Sequence, residues 1–333
     1  MQIDIRTTDI KPIRQTFDNV ARRIGEGKTA SRYQEATFDV QPMENFHYRP
    51  FWDPQHELYD PRRTAIRMED WYAFKDPRQF YYGTWTITRA KQQDNAERNF
   101  SFVEKRELLD LMSDEWRARV AAVLLPLRHV EFTANQNNCY IAAYGYGTAM
   151  TQTGAFAMMD HLGMAQYLSR IGLLLDGNSG DALAESKRQW MEDEGWQPLR
   201  RMMEDMMVLD DWFEIYAAQN FVMNGLLYPM IYDRFDLAVS EHGGSTLTML
   251  TTFMVDWFAE STRCVDAFMK TAAAESDANK QQLEAWCAQW TERAHEALAP
   301  LATLALGDEG PGALADMVAE LKNRAAKKCN LEF

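Results

Sequence analysis

From about Ser101 onward, apolar residues recur every three to four positions, the spacing that gathers them on one face of a helix. The stretch beginning "SDEWRARV" opens with Ser113 as a cap and places Asp114 and Glu115 in the first turn, where acids oppose the positive end of the backbone dipole. It predicts a long helix through "GYGTAM", kinked at Pro126. Residues 154–175 predict a second apolar helix, ended by the turn "DGNSGD" at 176–181, and 181–194 a short amphipathic one. Pro198 suits the first turn of a further helix, which runs long with a break near Gly225 or Pro229 before the turn "SEHGGS". Residues 245–273 predict another helix, and 277–299 a polar-faced one ending before Pro300. The β-like run "TWTITRA" is short and isolated, so the class is all-α.

The texture before residue 100 differs. Pro42, Pro50, Pro54, Pro61 and Pro77 stand among many aromatics, and prolines at that density exclude long helices. Segments such as "FHYRPFWDP" and "WYAFKDPRQFYYGTW" are too aromatic for a solvated loop, so something must cover the rings. Another chain and the arm's own domain would serve equally well. The division expected is an extended N-terminal arm over 1–100, a ferritin-like helical domain over 101–305 and a helical tail over 306–333.

Charge narrows the function. Lys plus Arg number 35 against 49 Asp plus Glu, a net charge of −14 that opposes binding to nucleic acid or an anionic membrane. The N-terminus has no apolar core of signal-peptide length and no apolar run suits a membrane span, which points to a cytoplasmic protein. Cys139, Cys264, Cys287 and Cys329 are widely spaced, so reduced, mostly buried thiols are expected rather than a zinc site or disulfides. In "RRMMEDMMVLDDWF" the methionines read as core filler, and Asp205, Asp210, Asp211, Arg200 and Arg201 as a solvated face. The amides "NQNN" at 135–138 suit hydrogen bonds across helices or to a partner.

A four-helix bundle raises the question of a metal. A di-iron carboxylate site needs one Glu from each of two helices and a Glu-x-x-His from each of the other two, because positions i and i+3 share a face. Glu44–His47, Asp53–His56 and Glu292–His295 have the spacing but lie in the arm or on a late polar helix. On the candidate core helices the first carries Glu131, and the second carries Asp160 followed three residues on by Gly163, with His161 turned away on the helical wheel. The third offers Gln219, Asn220, Met223 and Asn224 but no carboxylate, and the fourth has Asp256 and Glu260 with Arg263 where an imidazole should stand. Arginine cannot ligate a cation, so the acids read as ion-paired or hydrogen-bonded groups.

The segments "YRPFWDP", "RTAIRMEDWYAFKDPRQFYYGTW", "AQNFVMNGLLYPMIYDRFD" and "FMVDWFAESTRCVDAF" resemble the β-subunit of the hydroxylases of bacterial multicomponent monooxygenases, most closely that of phenol hydroxylase, over about 40–295. The resemblance implies a ferritin-like fold that has lost its iron ligands, in an assembly of two α, two β and two γ chains. The α-subunit would hold the di-iron centre and convert phenol to catechol with O2. Electrons would come from an NADH-dependent reductase, with a regulatory protein as a second transient partner. This chain would contribute no catalytic, metal-binding or cofactor-binding residue and would act as scaffold. The arm would lie over a partner through Tyr48, Phe51, Trp52, Trp71, Tyr72, Phe80, Tyr81 and Tyr82. The other readings are a toluene- or alkene-type β-subunit and a free-standing helical scaffold.

Overall fold

A computed structural model describes residues 16–41 and 50–333. Tyr48, Glu44 and His47 lie outside the described residues. Two short helices, α1 (Asp18–Ile24) and α2 (Arg32–Thr37), precede an extended stretch that carries single tight turns at Pro61–Arg63 and Trp71–Ala73. No strand occurs among the described residues.

The extended character ends at Tyr81, because Tyr82–Lys105 forms the long helix α3. Both the β-like reading of "TWTITRA" and the arm's expected limit at residue 100 are corrected here. No proline interrupts the chain between Pro77 and Pro126. The Thr86 hydroxyl bonds back to the carbonyl of Tyr82 at 2.7 Å, and burial of Ala96, Phe100 and Val103 outweighs the β preference of Thr84, Thr86 and Ile87.

The predicted kink at Pro126 divides α4 (Asp114–Leu124) from α5 (Leu127–Tyr144), and Ser113 Oγ caps α4 by accepting from Trp116 N. A tight link at 145–147 leads to α6 (Thr148–Leu175), and the turn after Leu175 leads to α7 (Asp181–Glu192). Helix α8 (Gln197–Met206) begins at its proline and stops short. The break in the long run therefore falls at 207–211, not at Gly225 or Pro229. Asp211 opens the next helix, accepting from Phe213 N and Glu214 N, so it is a cap rather than part of a solvated face. Helix α9 (212–239) passes Gly225 and Pro229 by widening into π turns at Tyr216–Met223 and Met230–Phe235. A kink at His242 and Gly243 precedes α10 (Thr246–Glu275).

Helix α11 (Asp277–Leu306) continues through Pro300, where it was expected to end. Leu298, Leu301, Ala302 and Ala305 are all buried, and this packing offsets the roughly 3 kcal/mol a proline costs inside a helix. The last helix, α12 (Gly310–Arg324), packs on α11, and Cys329 and Leu331 beyond it are buried. The pairs α5–α6 and α9–α10 form the bundle, α5 and α6 being the most extensively packed pair, with α11 against α9 and α10.

Candidate functional site

The centre of the bundle is polar, and every charge there is answered. Asp160 on α6 accepts four hydrogen bonds: from Trp85 Nε1 at 3.2 Å, Arg89 Nε at 2.8 Å, Arg89 Nη2 at 2.7 Å and Trp257 Nε1 at 2.9 Å. Glu260 on α10 accepts from the same guanidinium at 3.0 and 2.9 Å, and from Arg78 Nη1 at 3.3 Å. Arg78 in turn grips Asp76 at 2.9 and 3.0 Å. Arg89 thus stands between the two acids that the second and fourth core helices offer. Burial works against its charge, but Asp160 and Glu260 outweigh that penalty and raise its pKa above the usual arginine value.

The expectation of ion-paired acids holds for Asp160 and Glu260, with different arginines from the one considered. Arg263 and Asp256 are exposed, whereas Arg78 and Arg89 arrive from the segment before residue 100. Nothing local to α6 or α10 signals them.

Glu131 is engaged separately, its Oε2 accepting from His161 Nδ1 at 2.6 Å and its Oε1 from the Tyr228 hydroxyl at 2.9 Å. Where α9 would supply carboxylates it carries amides. Asn137 donates to Gln219 at 2.9 Å, Gln219 to Asn224 at 2.9 Å, and Asn138 and Asn220 exchange bonds at 3.2 and 3.0 Å. The "NQNN" segment therefore bonds across helices. The space beside Asp160, Asn224 and Arg78 measures about 30 Å³, room for roughly one water molecule.

These residues do not fit a di-iron centre: a fixed guanidinium fills the midpoint, and amides or glycine replace ligands at Asn224 and Gly163. Among the described residues no three His, Cys, Asp or Glu side chains converge as a metal set. The other motifs are also accounted for. His56 and Arg63 both bind Asp53, at 2.9 and 2.5 Å, while Glu292 and His295 are exposed.

The aromatic residues singled out in the arm divide. Trp71, Tyr72 and Phe80, expected to meet a partner, are buried within this chain's own fold. The Trp71 ring packs 5.5 Å from Tyr146 and 5.6 Å from Trp212. Tyr81 is half-buried, whereas Phe51, Trp52 and Tyr82 are 98%, 72% and 73% exposed.

Sequence reading missed a second surface. From Phe132 to Ser169 the only Asp, Glu, Lys, Arg or His residues are Asp160 and His161, both buried, in a chain that is 25% charged. The outward side of the α5–α6 hairpin, with Phe132, Gln136, Cys139 and Ala143 on one helix and Ala155, Met159, Leu162 and Gly163 on the other, is therefore uncharged. The arm's exposed rings attach at its edges. Trp52 Nε1 donates to the Tyr144 hydroxyl at 3.2 Å, and Gln152 on α6 donates to the carbonyl of Phe80, two residues before Tyr82, at 3.3 Å. A missing charge over so long a helical stretch was legible in the sequence, but only once the two outer faces are known to be neighbours.

Residues 52–276 match the family model described as Methane/Phenol/Alkene Hydroxylase. The chain is 54% identical over 307 residues to the oxygenase component DmpL of phenol 2-monooxygenase from Pseudomonas sp. (strain CF600), covering 92% of each. It is 24% identical over 251 residues to the hydroxylase component subunit beta of the toluene-4-monooxygenase system from Ectopseudomonas mendocina, covering 73% of this chain and 76% of that one. Its structure superposes on that of xenon-pressurized phenol hydroxylase from Pseudomonas sp. OX1 with a TM-score of 0.92 at 48% identity, covering 99% of both chains.

Proposed function

We infer the role of this chain from its family: it belongs to the methane/phenol/alkene hydroxylases, as a subunit of the small, β type. We propose that it is the non-catalytic β-subunit of a multicomponent phenol hydroxylase. In this reading a separate α-subunit holds the di-iron centre and oxidises phenol to catechol, with electrons from an NADH-dependent reductase. A γ-subunit completes an (αβγ)2 assembly, a regulatory protein joins it transiently, and the whole works in the cytoplasm. Phenol is favoured over toluene by the identity of 54% against 24%. No helix among the described residues is long and apolar enough to cross a membrane.

The observation that carries the non-catalytic reading is the Arg89 guanidinium, bonded to both Asp160 and Glu260. A cation built into the fold satisfies the acids that a metal would otherwise need, and the chain is left to act by binding. The uncharged face of α5–α6, flanked by Trp52 and Tyr82, is the surface proposed to meet the α-subunit, since interface cores are depleted of charge and anchored by aromatics.

Two measurements test this. Iron assayed on each chain of the purified complex should follow the α-subunit, and two irons per β chain would overturn the reading. Met159→Arg or Cys139→Arg, each adding a charge to the exposed face, should abolish co-purification with the α-subunit while the isolated chain keeps its melting temperature. Unchanged assembly in both variants would remove the hairpin as the interface.

A further inference from the structure

Tyr228 is buried in the middle of α9, and its hydroxyl reaches a proton acceptor, Glu131 Oε1, at 2.9 Å. The other oxygen of Glu131 is held by His161 Nδ1 at 2.6 Å. The Tyr228 ring lies 5.3 Å from that of Trp257. Trp257 donates its indole N–H to Asp160 Oδ2 at 2.9 Å, and Trp85 donates to Oδ1 of the same carboxylate at 3.2 Å. Trp85 is half-buried, at the edge of the molecule. Three oxidisable rings therefore run from surface to interior, each with its N–H or O–H on a carboxylate. Packing alone does not require this, because phenylalanine would fill similar space without a buried polar partner.

We propose that Trp85, Trp257 and Tyr228 form a relay that accepts one oxidising equivalent from an oxygen-centred radical at the surface and holds it on Tyr228. The oxidant takes one electron from Trp85, Trp257 re-reduces Trp85, and Tyr228 re-reduces Trp257. The phenolic proton of Tyr228 crosses to Glu131 Oε1. In balance, the oxidant gains one electron, and a phenol with a carboxylate becomes a neutral phenoxyl radical with a carboxylic acid. The relay stops at Tyr228 because the next ring, Tyr232 at 5.2 Å, has a buried hydroxyl with no acceptor for its proton among the described residues. Glu131 is positioned for the transfer in hydrogen-bonding reach of the donor, the geometric condition for a base. The physiological oxidant rests on the reading above, since a neighbouring oxygen-activating subunit is a source of such species; the relay itself does not.

The experiment applies a ruthenium polypyridyl photosensitiser with a sacrificial electron acceptor to the full-length chain and to the assembled complex, read by transient absorption and EPR. The chain carries tyrosine deuterated at Cβ, so that its radical is distinguished from those of other subunits. The expected result is a tyrosyl radical in wild type, its loss in Tyr228→Phe, slower formation in Trp257→Phe and in D2O, and no change in Tyr232→Phe. A radical of undiminished amplitude in Tyr228→Phe, with helical circular dichroism and melting temperature intact, overturns the relay. So does an unchanged rise time in Trp257→Phe, whose ring substitution keeps the packing while removing the oxidisable indole. A relay that survives in Met159→Arg, or fails in a fully assembled hydroxylase, separates this inference from the proposed function.

Discussion

Arg89 shows why single residues decide the character of this bundle. Its guanidinium lies 71 positions in sequence from Asp160 and 171 from Glu260, so no local pattern could have paired them. What the sequence did reveal was the loss of ligand types at Gly163 and Asn224 and the need for each buried acid to find a partner. Arg89→Met leaves Asp160 and Glu260 facing each other with Arg78 reaching only the second, and breaking a buried pair of this kind costs about 3–5 kcal/mol. Urea denaturation should show that loss, and adding Asp160→Asn and Glu260→Gln should recover part of it by removing the uncompensated charge. His129 supplies a pH-dependent counterpart. Burial pushes its imidazole down from the ordinary 6.5 to about 4, with the ring stacked 5.7 Å from Trp190. The unfolded chain then binds a proton that the folded chain refuses, so stability is full above about 6.5 and declines as pH falls toward 4. Denaturation midpoints measured across that window should flatten in His129→Gln; an unchanged slope would assign the loss to other groups.

At the scale of elements, caps and turns were legible and tertiary overrides were not. Ser113, Pro126, the 176–181 turn and Pro198 act locally, through one hydrogen bond or one fixed dihedral, and each sits where the sequence placed it. Helix α3 and the passage of α11 through Pro300 depend instead on what covers them, and propensity misread both. The π turns of α9 belong to the same group: they turn Gln219 and Asn220 toward Asn137 and Asn138, and only the facing helix makes that arrangement worthwhile. The two helices of the hairpin approach closely at Gly154. A Cβ added at Gly154 would lie 3.1 Å from Ala142 N and 3.2 Å from Asn138 O, both backbone atoms that cannot swing aside. Gly154→Leu should therefore pry α5 from α6 at a cost of about 1–3 kcal/mol, as overpacking generally does. Faster amide hydrogen exchange confined to 127–175 is the expected signature, and uniform exchange across the bundle would contradict it.

For the molecule as a whole, the aromatic residues of the arm divide between the chain's own core and its surface. Aromatic density marked Trp71 and Trp52 alike, yet Trp71 is 6% exposed and Trp52 72%, a distinction that required the fold. Trp71→Ala should cost the isolated chain about 3–5 kcal/mol, the range for emptying a buried large aromatic. Trp52→Ala should leave its melting point nearly unchanged and weaken only assembly. The distribution of charge leads to a further test. The chain carries a net −14, while the face proposed for the α-subunit has none, so attraction across it comes from apolar burial rather than from paired charges. Added salt screens exposed charges within a Debye length of about 10 Å at 0.1 M and much less at 1 M, but it does not weaken apolar contact. Assembly of this subunit with its partner, followed by gel filtration, should therefore persist from low salt to about 1 M sodium chloride, where the Debye length is about 3 Å. Dissociation in that range would mean that charged residues outside α5 and α6 hold the complex, and would return the interface to the arm and its arginines, Arg62, Arg63 and Arg67, beside Trp52.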